Sequence, residues 1–131
     1  MTKRAILAVA AIFIAWSLLD FLLHGLLLQS TYAATAHLWR PMDAMNMPLM
    51  YLVTLLVAAA FVAIYLWLVE PKSLGTGIRL GLLFGLATGI SMGFGSYSYM
   101  PIPVSLAWSW FLGTLVECAV AGAIAGWLIR R

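Results

Sequence analysis

Four long runs of apolar residues, separated by short polar segments, make up almost the whole chain. The runs extend over residues 5–29, 48–69, 76–95 and 104–129. A helix needs about 20 mostly apolar residues to cross a bilayer, and each run reaches that length. Glu70-Pro71 ends the second run, because proline cannot continue a helix. The pattern predicts an all-α fold, in which residues 1–131 form a single membrane domain with a bundle of four transmembrane helices.

The longest connection lies between the first two runs and extends from Ser30 to Met47. It is too polar to cross a bilayer, but it contains Tyr32, Trp39 and several alanines. Aromatic residues of this kind are typical of the membrane–water interface. We therefore predict a short interfacial helix between helices 1 and 2.

Composition places the chain outside the soluble globular proteins. Of its 131 residues, 65% are hydrophobic and 8% are charged, whereas soluble domains have about 25% charged residues. The predicted partners are therefore the lipid bilayer and either a second copy or another membrane protein. No basic run or aromatic-interleaved basic patch points to nucleic acid.

The cationic residues are distributed unequally between the two sides of the predicted bundle. Arg40 lies on one side, and the other side carries Lys3, Arg4, Lys72, Arg79, Arg130 and Arg131. Loops on the cytoplasmic side of membrane proteins are enriched in lysine and arginine. The bias predicts that both termini are cytoplasmic and that the Arg40 segment is outside, as in a bacterial inner-membrane protein.

The third run carries a glycine at every fourth position: Gly77, Gly81, Gly85, Gly89 and Gly93. The fourth run adds Gly122 and Gly126. Small residues at this spacing let two helix backbones approach closely, which drives much of the helix association in lipid. The stripe predicts close helix packing, either within the chain or at a subunit interface.

Three ionisable side chains fall inside predicted spans, where such groups are costly and often functional. Asp20 and His24 are four residues apart and share one helix face, which Ser17 extends inward, and Glu117 lies in the fourth helix. We expect this polar cluster to be a clamp between helices or to another subunit, a proton, ion or substrate site, or a catalytic site. No nucleophile or oxyanion donor accompanies it, so the sequence favours a protein that is not an enzyme.

All methionines except Met1 lie in the half of the chain that the charge bias places outside. They are Met42, Met45, Met47, Met50, Met92 and Met100. Thioether sulfur suits Cu(I), so Met42, Met45, Met47 and His37 form a possible outer-side copper site. Methionine is also a common filler of apolar contacts, and packing or partner contact is the alternative. The pattern names no other cofactor.

Three features together resemble the small four-helix bacterial inner-membrane proteins grouped as domains of unknown function. They are the Gly25–Trp39 exit of the first helix, the glycine-striped third helix and the Ala121–Trp127 ending. The resemblance implies the same four-helix architecture and no particular activity. Small multidrug exporters also have four short helices, with a carboxylate in the first, but that likeness is one of architecture alone.

Three functional hypotheses follow from these patterns. The first is a non-enzymatic oligomeric or accessory subunit of a membrane complex, based on the glycine stripes. The second is a small transporter or channel in which Asp20, His24 and Glu117 couple to protons or a cation. The third is an outer-face copper-handling protein, based on the methionine-rich segment.

Overall fold

The computed structural model of the chain describes residues 1–130 and consists of helices joined by short connections. Arg131, which contributes to the predicted charge bias, lies outside the described residues. The helices are α1 Thr2–Asp20, continued as a π-helix over Phe21–Leu27; α2 Gln29–Ala34; α3 Met47–Leu68; α4 Leu74–Ile90, continued as a π-helix over Ser91–Gly95; and α5 Val104–Leu128. Two single turns of 3₁₀-helix, Ala36–Leu38 and Met42–Ala44, connect α2 to α3.

Within residues 1–130, four helices are long and apolar enough to cross a membrane. They are Thr2–Leu27, Met47–Leu68, Leu74–Gly95 and Val104–Leu128. This confirms the predicted all-α fold with four candidate transmembrane helices. Helix α2 lies in the connection for which the sequence predicts an interfacial helix, and its position relative to a membrane stays a prediction.

Helices α4 and α5 form the tightest contact of the bundle, because their glycines face each other. A β-carbon on Gly85 would lie 2.8 Å from Cβ of Cys118, and one on Gly89 would lie 2.9 Å from the carbonyl oxygen of Phe111. The glycines at 77, 81 and 93 face α5 in the same way. The stripe is therefore used for packing within the chain, and it is not free to contact a second subunit.

The main hydrophobic core joins α1, α3 and α5. Its largest fully buried side chains include Ile12 of α1 and Phe61 and Tyr65 of α3. The buried residues of α3 all lie in its second half, so this half packs into the bundle and the first half does not. The bundle is thus closed around Tyr65 and looser around the start of α3.

The two ends of the bundle differ in what they carry. The N-terminal and C-terminal residues of the described chain meet at one end of the bundle, where the guanidinium of Arg4 donates a 3.1 Å hydrogen bond to the carbonyl oxygen of Arg130. The Tyr65 hydroxyl donates to the carbonyl oxygen of Ser73 in the α3–α4 loop at the same end, over 3.0 Å. We call this the terminal end and the opposite one, which carries α2, the α2 end.

A second, smaller core holds the α2 end together. Leu28, Ile102, Leu106 and Trp110 are buried there, and Tyr32 and Trp39 pack against them, as do Leu23, Leu38 and Met100. Because this core includes residues from the α1–α3 connection and from α5, it fixes α2 across the end of the bundle. It also determines where the side chain of Tyr32 lies.

Candidate functional site

Asp20 and Glu117, predicted as members of one polar cluster, are neighbours in the structure. Their carboxyl groups lie side by side, one from α1 and one from α5. One helical turn before Asp20, the indole nitrogen of Trp16 donates a 2.8 Å hydrogen bond to the carbonyl oxygen of Glu117. This bond sets the relative height of the two helices, so the two acids form a pair inside the candidate spans.

The acid pair lines a cavity of about 420 Å³ that all four spanning helices border. The cavity exists because only the second half of α3 packs into the bundle. Its walls include the threonine side chains of Thr54, Thr88 and Thr114, and the remaining lining residues are Trp16, Val53, Val57, Phe84 and Cys118. The result is a partly open pocket with a mainly apolar lining, in which two acidic residues and three threonines are the polar members.

Two buried oxygen atoms near the pair, Oε1 of Glu117 and Oγ of Ser17, have no hydrogen-bond partner within residues 1–130. A buried polar oxygen left without a partner costs about 1–3 kcal/mol. Ser17 lies on α1 one turn before Asp20, as the sequence predicts, but it does not belong to the cavity wall. Glu117 therefore has a buried oxygen without a partner in the described residues, and such groups are often retained for function.

His24 lies on the π-helical segment that continues α1, one turn beyond Asp20. Its Nε2 atom is 3.8 Å from Oδ1 of Asp20, an ion-pair distance if the ring is protonated. About 37% of the His24 side chain and 42% of the Asp20 side chain are exposed in the single chain. π-Helical turns frequently occur at functional sites, and here the turn places the imidazole between Asp20 and α2.

Tyr32 of α2 meets His24 from the other side. Its hydroxyl oxygen lies 2.5 Å from Nδ1 of His24, and the two rings stack with their centroids 5.9 Å apart. The indole nitrogen of Trp110 donates a 2.8 Å hydrogen bond to the same hydroxyl oxygen. Trp39 packs edge-on against the rings of Tyr32 and Trp110. The side chains therefore form one connected chain from Trp110 through Tyr32 and His24 towards Asp20.

The phenol of Tyr32 stays protonated over a wide pH range. Burial raises its pKa above the ordinary value of 10.0, and the negative charge of Asp20 acts in the same direction. The hydrogen bond from Trp110 opposes this rise by stabilising the phenolate. At neutral pH the hydroxyl thus carries a proton that it can donate.

The structure brings the predicted residues Asp20, His24 and Glu117 near one another. The sequence pattern does not identify Tyr32 and Trp110 as further members of this group. Periodicity could not place Tyr32, because the helix is interrupted at Leu28 before the chain reaches it. Trp110 fits the pattern of an interfacial aromatic residue, yet it is 8% exposed and lies in the smaller core. The only available signal was the general rule that a buried indole N–H needs an acceptor.

The residues predicted for copper lie on the connection between α2 and α3. His37 belongs to one 3₁₀ turn and Met42 to the next, Met45 follows that turn, and Met47 opens α3. The side chains of Met42 and Met47 are 76% and 39% exposed. In the described part of the chain, no three His, Cys, Asp or Glu side chains are grouped so that they could hold a metal ion. Thioether ligation of copper stays a prediction.

Compared with the models of known protein families, with curated proteins and with solved structures, the chain has no match. The resemblance to small four-helix inner-membrane proteins therefore stays a prediction.

Proposed function

We propose that the chain is a small proton-coupled transporter or channel, in which Asp20 and Glu117 exchange protons within the membrane. The observation that supports this most strongly is the contact between two carboxyl groups at a cavity inside four candidate spans. Two adjacent like charges in a low-dielectric site are costly, so the pair is most stable when it holds a proton between its oxygens. A site that holds and releases one proton is the basic element of proton coupling.

The cavity walls suit this role. Thr54, Thr88 and Thr114 offer hydroxyl groups that can hydrogen-bond to a passing polar group or to water. The hydroxyl of Thr88 is already bound to the carbonyl oxygen of Phe84 in its own helix, over 2.7 Å, so it retains its oxygen lone pairs as acceptors. The cavity therefore supplies polar contacts at the depth of the acid pair without adding a fixed charge.

The proposed orientation places the terminal end in the cytoplasm and the α2 end outside. The lysine and arginine bias supports it, and the hydrogen bond from Arg4 to the carbonyl oxygen of Arg130 supports a common side for both ends of the described chain. In a bacterium the membrane is the inner membrane. In this orientation the smaller core and α2 cover the outer end of the bundle.

The test is proton flux into liposomes that contain the purified chain and a trapped pH-sensitive dye. We expect flux in the wild type and a decrease of about a hundredfold or more in Asp20→Asn and in Glu117→Gln, a typical loss when a proton-transferring group is removed. Both replacements keep the size of the side chain and remove its exchangeable charge. Asp43→Asn is the matched control, because Asp43 is an exposed aspartate outside the candidate spans.

Each result has one interpretation when the proteins are equally folded and equally incorporated. Loss of flux in the two cavity variants, with normal flux in Asp43→Asn, supports proton exchange at the pair. Liposomes without flux above the lipid background contradict the proposal, as does normal flux in the two variants. A wild-type flux that a second cation inhibits competitively would identify a cation that shares the site.

A second candidate, an oligomeric or accessory subunit, is favoured by one observation. The side chains of Asp20 and His24 remain partly exposed in the single chain, and ionisable groups within a membrane rarely face lipid. A second copy or another membrane protein would cover them. The glycine stripe no longer supports this candidate, because α5 occupies it. Native mass spectrometry of the complex extracted from its own membrane tests it directly.

A further inference from the structure

We infer that Tyr32 and His24 form the path by which protons travel between the α2 end of the bundle and the Asp20–Glu117 pair. The inference rests on the proposed function and adds the route and the direction from which the pair is supplied. It is based on three contacts in series: Trp110 to Tyr32, Tyr32 to His24, and His24 to Asp20.

The relay requires one particular order of hydrogen-bond donors along this series. An indole N–H can only donate, so the Tyr32 oxygen accepts from Trp110. In the relay, the single proton of the Tyr32 hydroxyl points to Nδ1 of His24, which accepts it. A neutral imidazole carries its one proton on the other nitrogen, so Nε2–H faces Asp20. All donors in the series therefore point the same way, from Trp110 towards the acid pair.

This arrangement allows one proton to reach the acid pair by successive transfers between neighbouring side chains. The Nε2 proton of His24 moves to the Asp20 carboxylate, and the Tyr32 hydroxyl proton moves to Nδ1 of His24. A proton from water at the α2 end then replaces the one on the Tyr32 oxygen. One proton leaves the water and one reaches Asp20, while the hydrogen bond from Trp110 stabilises the transient phenolate.

The groups around His24 are consistent with this route. His24 faces Asp20 on its own helix and Tyr32 on α2. From α5, the carboxyl group of Glu117 lies next to that of Asp20. The 3.8 Å between Nε2 and Oδ1 exceeds the roughly 2.7–3.2 Å of an N–H···O hydrogen bond, so the relay requires the partly exposed Asp20 side chain to rotate towards His24 before the proton is transferred. Hydrogen bonds used in proton transfer are often long until the working complex forms.

The alternative is that Tyr32 and His24 only anchor α2 to the bundle. Both roles need the same contacts, but only the relay needs the stated proton positions and affects the rate of proton arrival. An anchor would affect stability alone. A test must therefore report on protonation as well as on folding.

The first measurement is nitrogen NMR of His24 in lipid bilayers at neutral pH. His37→Gln leaves His24 as the single histidine of the chain, so its two ring signals are unambiguous. We expect the Nε2–H tautomer, with Nδ1 shifted as an acceptor, and loss of that shift in Tyr32→Phe. A neutral ring protonated at Nδ1 would overturn the relay, because Tyr32 could not then donate to it.

The second measurement is the rate at which protons reach the pair, followed as proton flux in liposomes. We expect Tyr32→Phe and His24→Gln to slow the flux by about a hundredfold, while Tyr99→Phe leaves it unchanged. Tyr99 is 76% exposed and lies outside the candidate spans. Thermal unfolding shows whether each variant is folded. If Tyr32→Phe or His24→Gln does not fold, Trp110→Phe, which keeps an aromatic ring, is measured in its place.

The outcomes separate the relay from the proposed function. Wild-type flux that Tyr32→Phe and His24→Gln do not slow overturns the relay and leaves the acid pair in place. Absence of wild-type flux overturns the proposed function, whatever the tautomer of His24. Slowed flux together with the Nε2–H tautomer supports both.

Discussion

The indole nitrogen of Trp16 donates a hydrogen bond to the backbone carbonyl oxygen of Glu117. This contact joins α1 to α5 one turn away from the point where the carboxyl groups of Asp20 and Glu117 meet. A helix backbone repeats every 3.6 residues, so fixing Trp16 against Glu117 also fixes the height of Asp20. The acid pair therefore depends on packing as well as on the acids themselves.

Replacing Trp16 by Phe removes this hydrogen bond and part of a buried ring. We expect the free energy of unfolding to fall by at least about 1 kcal/mol, because the lost bond is compounded by lost packing in the core. Denaturant titration in detergent micelles measures the change. Trp127→Phe is the matched control, since 58% of that residue is exposed. Equal stability of the two variants would contradict the role of Trp16.

The glycine stripe predicts a sharp contrast between two positions in α4. A methyl group on Gly81 would collide with the backbone of Cys118 in α5, whereas on Gly75 its nearest neighbour would be 3.9 Å away. We expect Gly81→Ala to lower the free energy of unfolding by about 1–3 kcal/mol, as overpacked interiors usually do. That cost outweighs the gain of up to about 1 kcal/mol in helix propensity.

Gly75→Ala provides the reference for this effect. It adds the same methyl group to the same helix without a clash, so its stability should match or slightly exceed that of the wild type. Denaturant titration of both variants gives the comparison. Equal stability of Gly81→Ala and Gly75→Ala would contradict the close packing of α4 against α5.

The fold could be predicted from the sequence to a large extent, because length and hydropathy decide which segments can cross a bilayer. The ends of the four candidate spans lie within three residues of those expected from the apolar runs. The pattern could not decide which surface the glycines at 77, 81, 85, 89 and 93 contact. Periodicity shows that a helix face is smooth, but the partner of that face depends on tertiary packing.

The site could be predicted only in part. The spacing of Asp20 and His24 places them on one helix face, and the cost of ionisable groups in lipid singles out Glu117. The contact of Tyr32 with His24 could not be predicted, because the position of Tyr32 depends on how the chain turns after Leu28 and on a small core built with α5. The cavity could not be predicted either, since it arises from the packing of one half of α3.

The raised pKa of Tyr32 predicts how stability changes at alkaline pH. Its pKa in the folded chain exceeds the ordinary value of 10.0, so above that value the unfolded chain binds fewer protons than the folded one. Stability is therefore fully present below pH 10 and is lost as the pH rises through the folded pKa. The free energy of unfolding, measured across this pH range, should fall in the wild type but not in Tyr32→Phe.

Trp110→Phe extends the same prediction. The hydrogen bond from Trp110 lowers the pKa of Tyr32, so removing it should raise that pKa further. Phenolate absorbance in a pH titration, taken as the difference from the matching Tyr32→Phe background, reports the value. Trp67→Phe, at a residue that is 80% exposed, should leave it unchanged. A lower pKa in Trp110→Phe would contradict the described contact.

The most direct test of the acid pair is proton flux measured for Asp20→Asn, Glu117→Gln and the double variant together. Residues that act as one unit give strongly non-additive losses. We predict that each single variant loses flux by about a hundredfold and that the double variant is no slower than the singles. Full flux in either single variant, or losses that multiply in the double variant, would contradict a shared site.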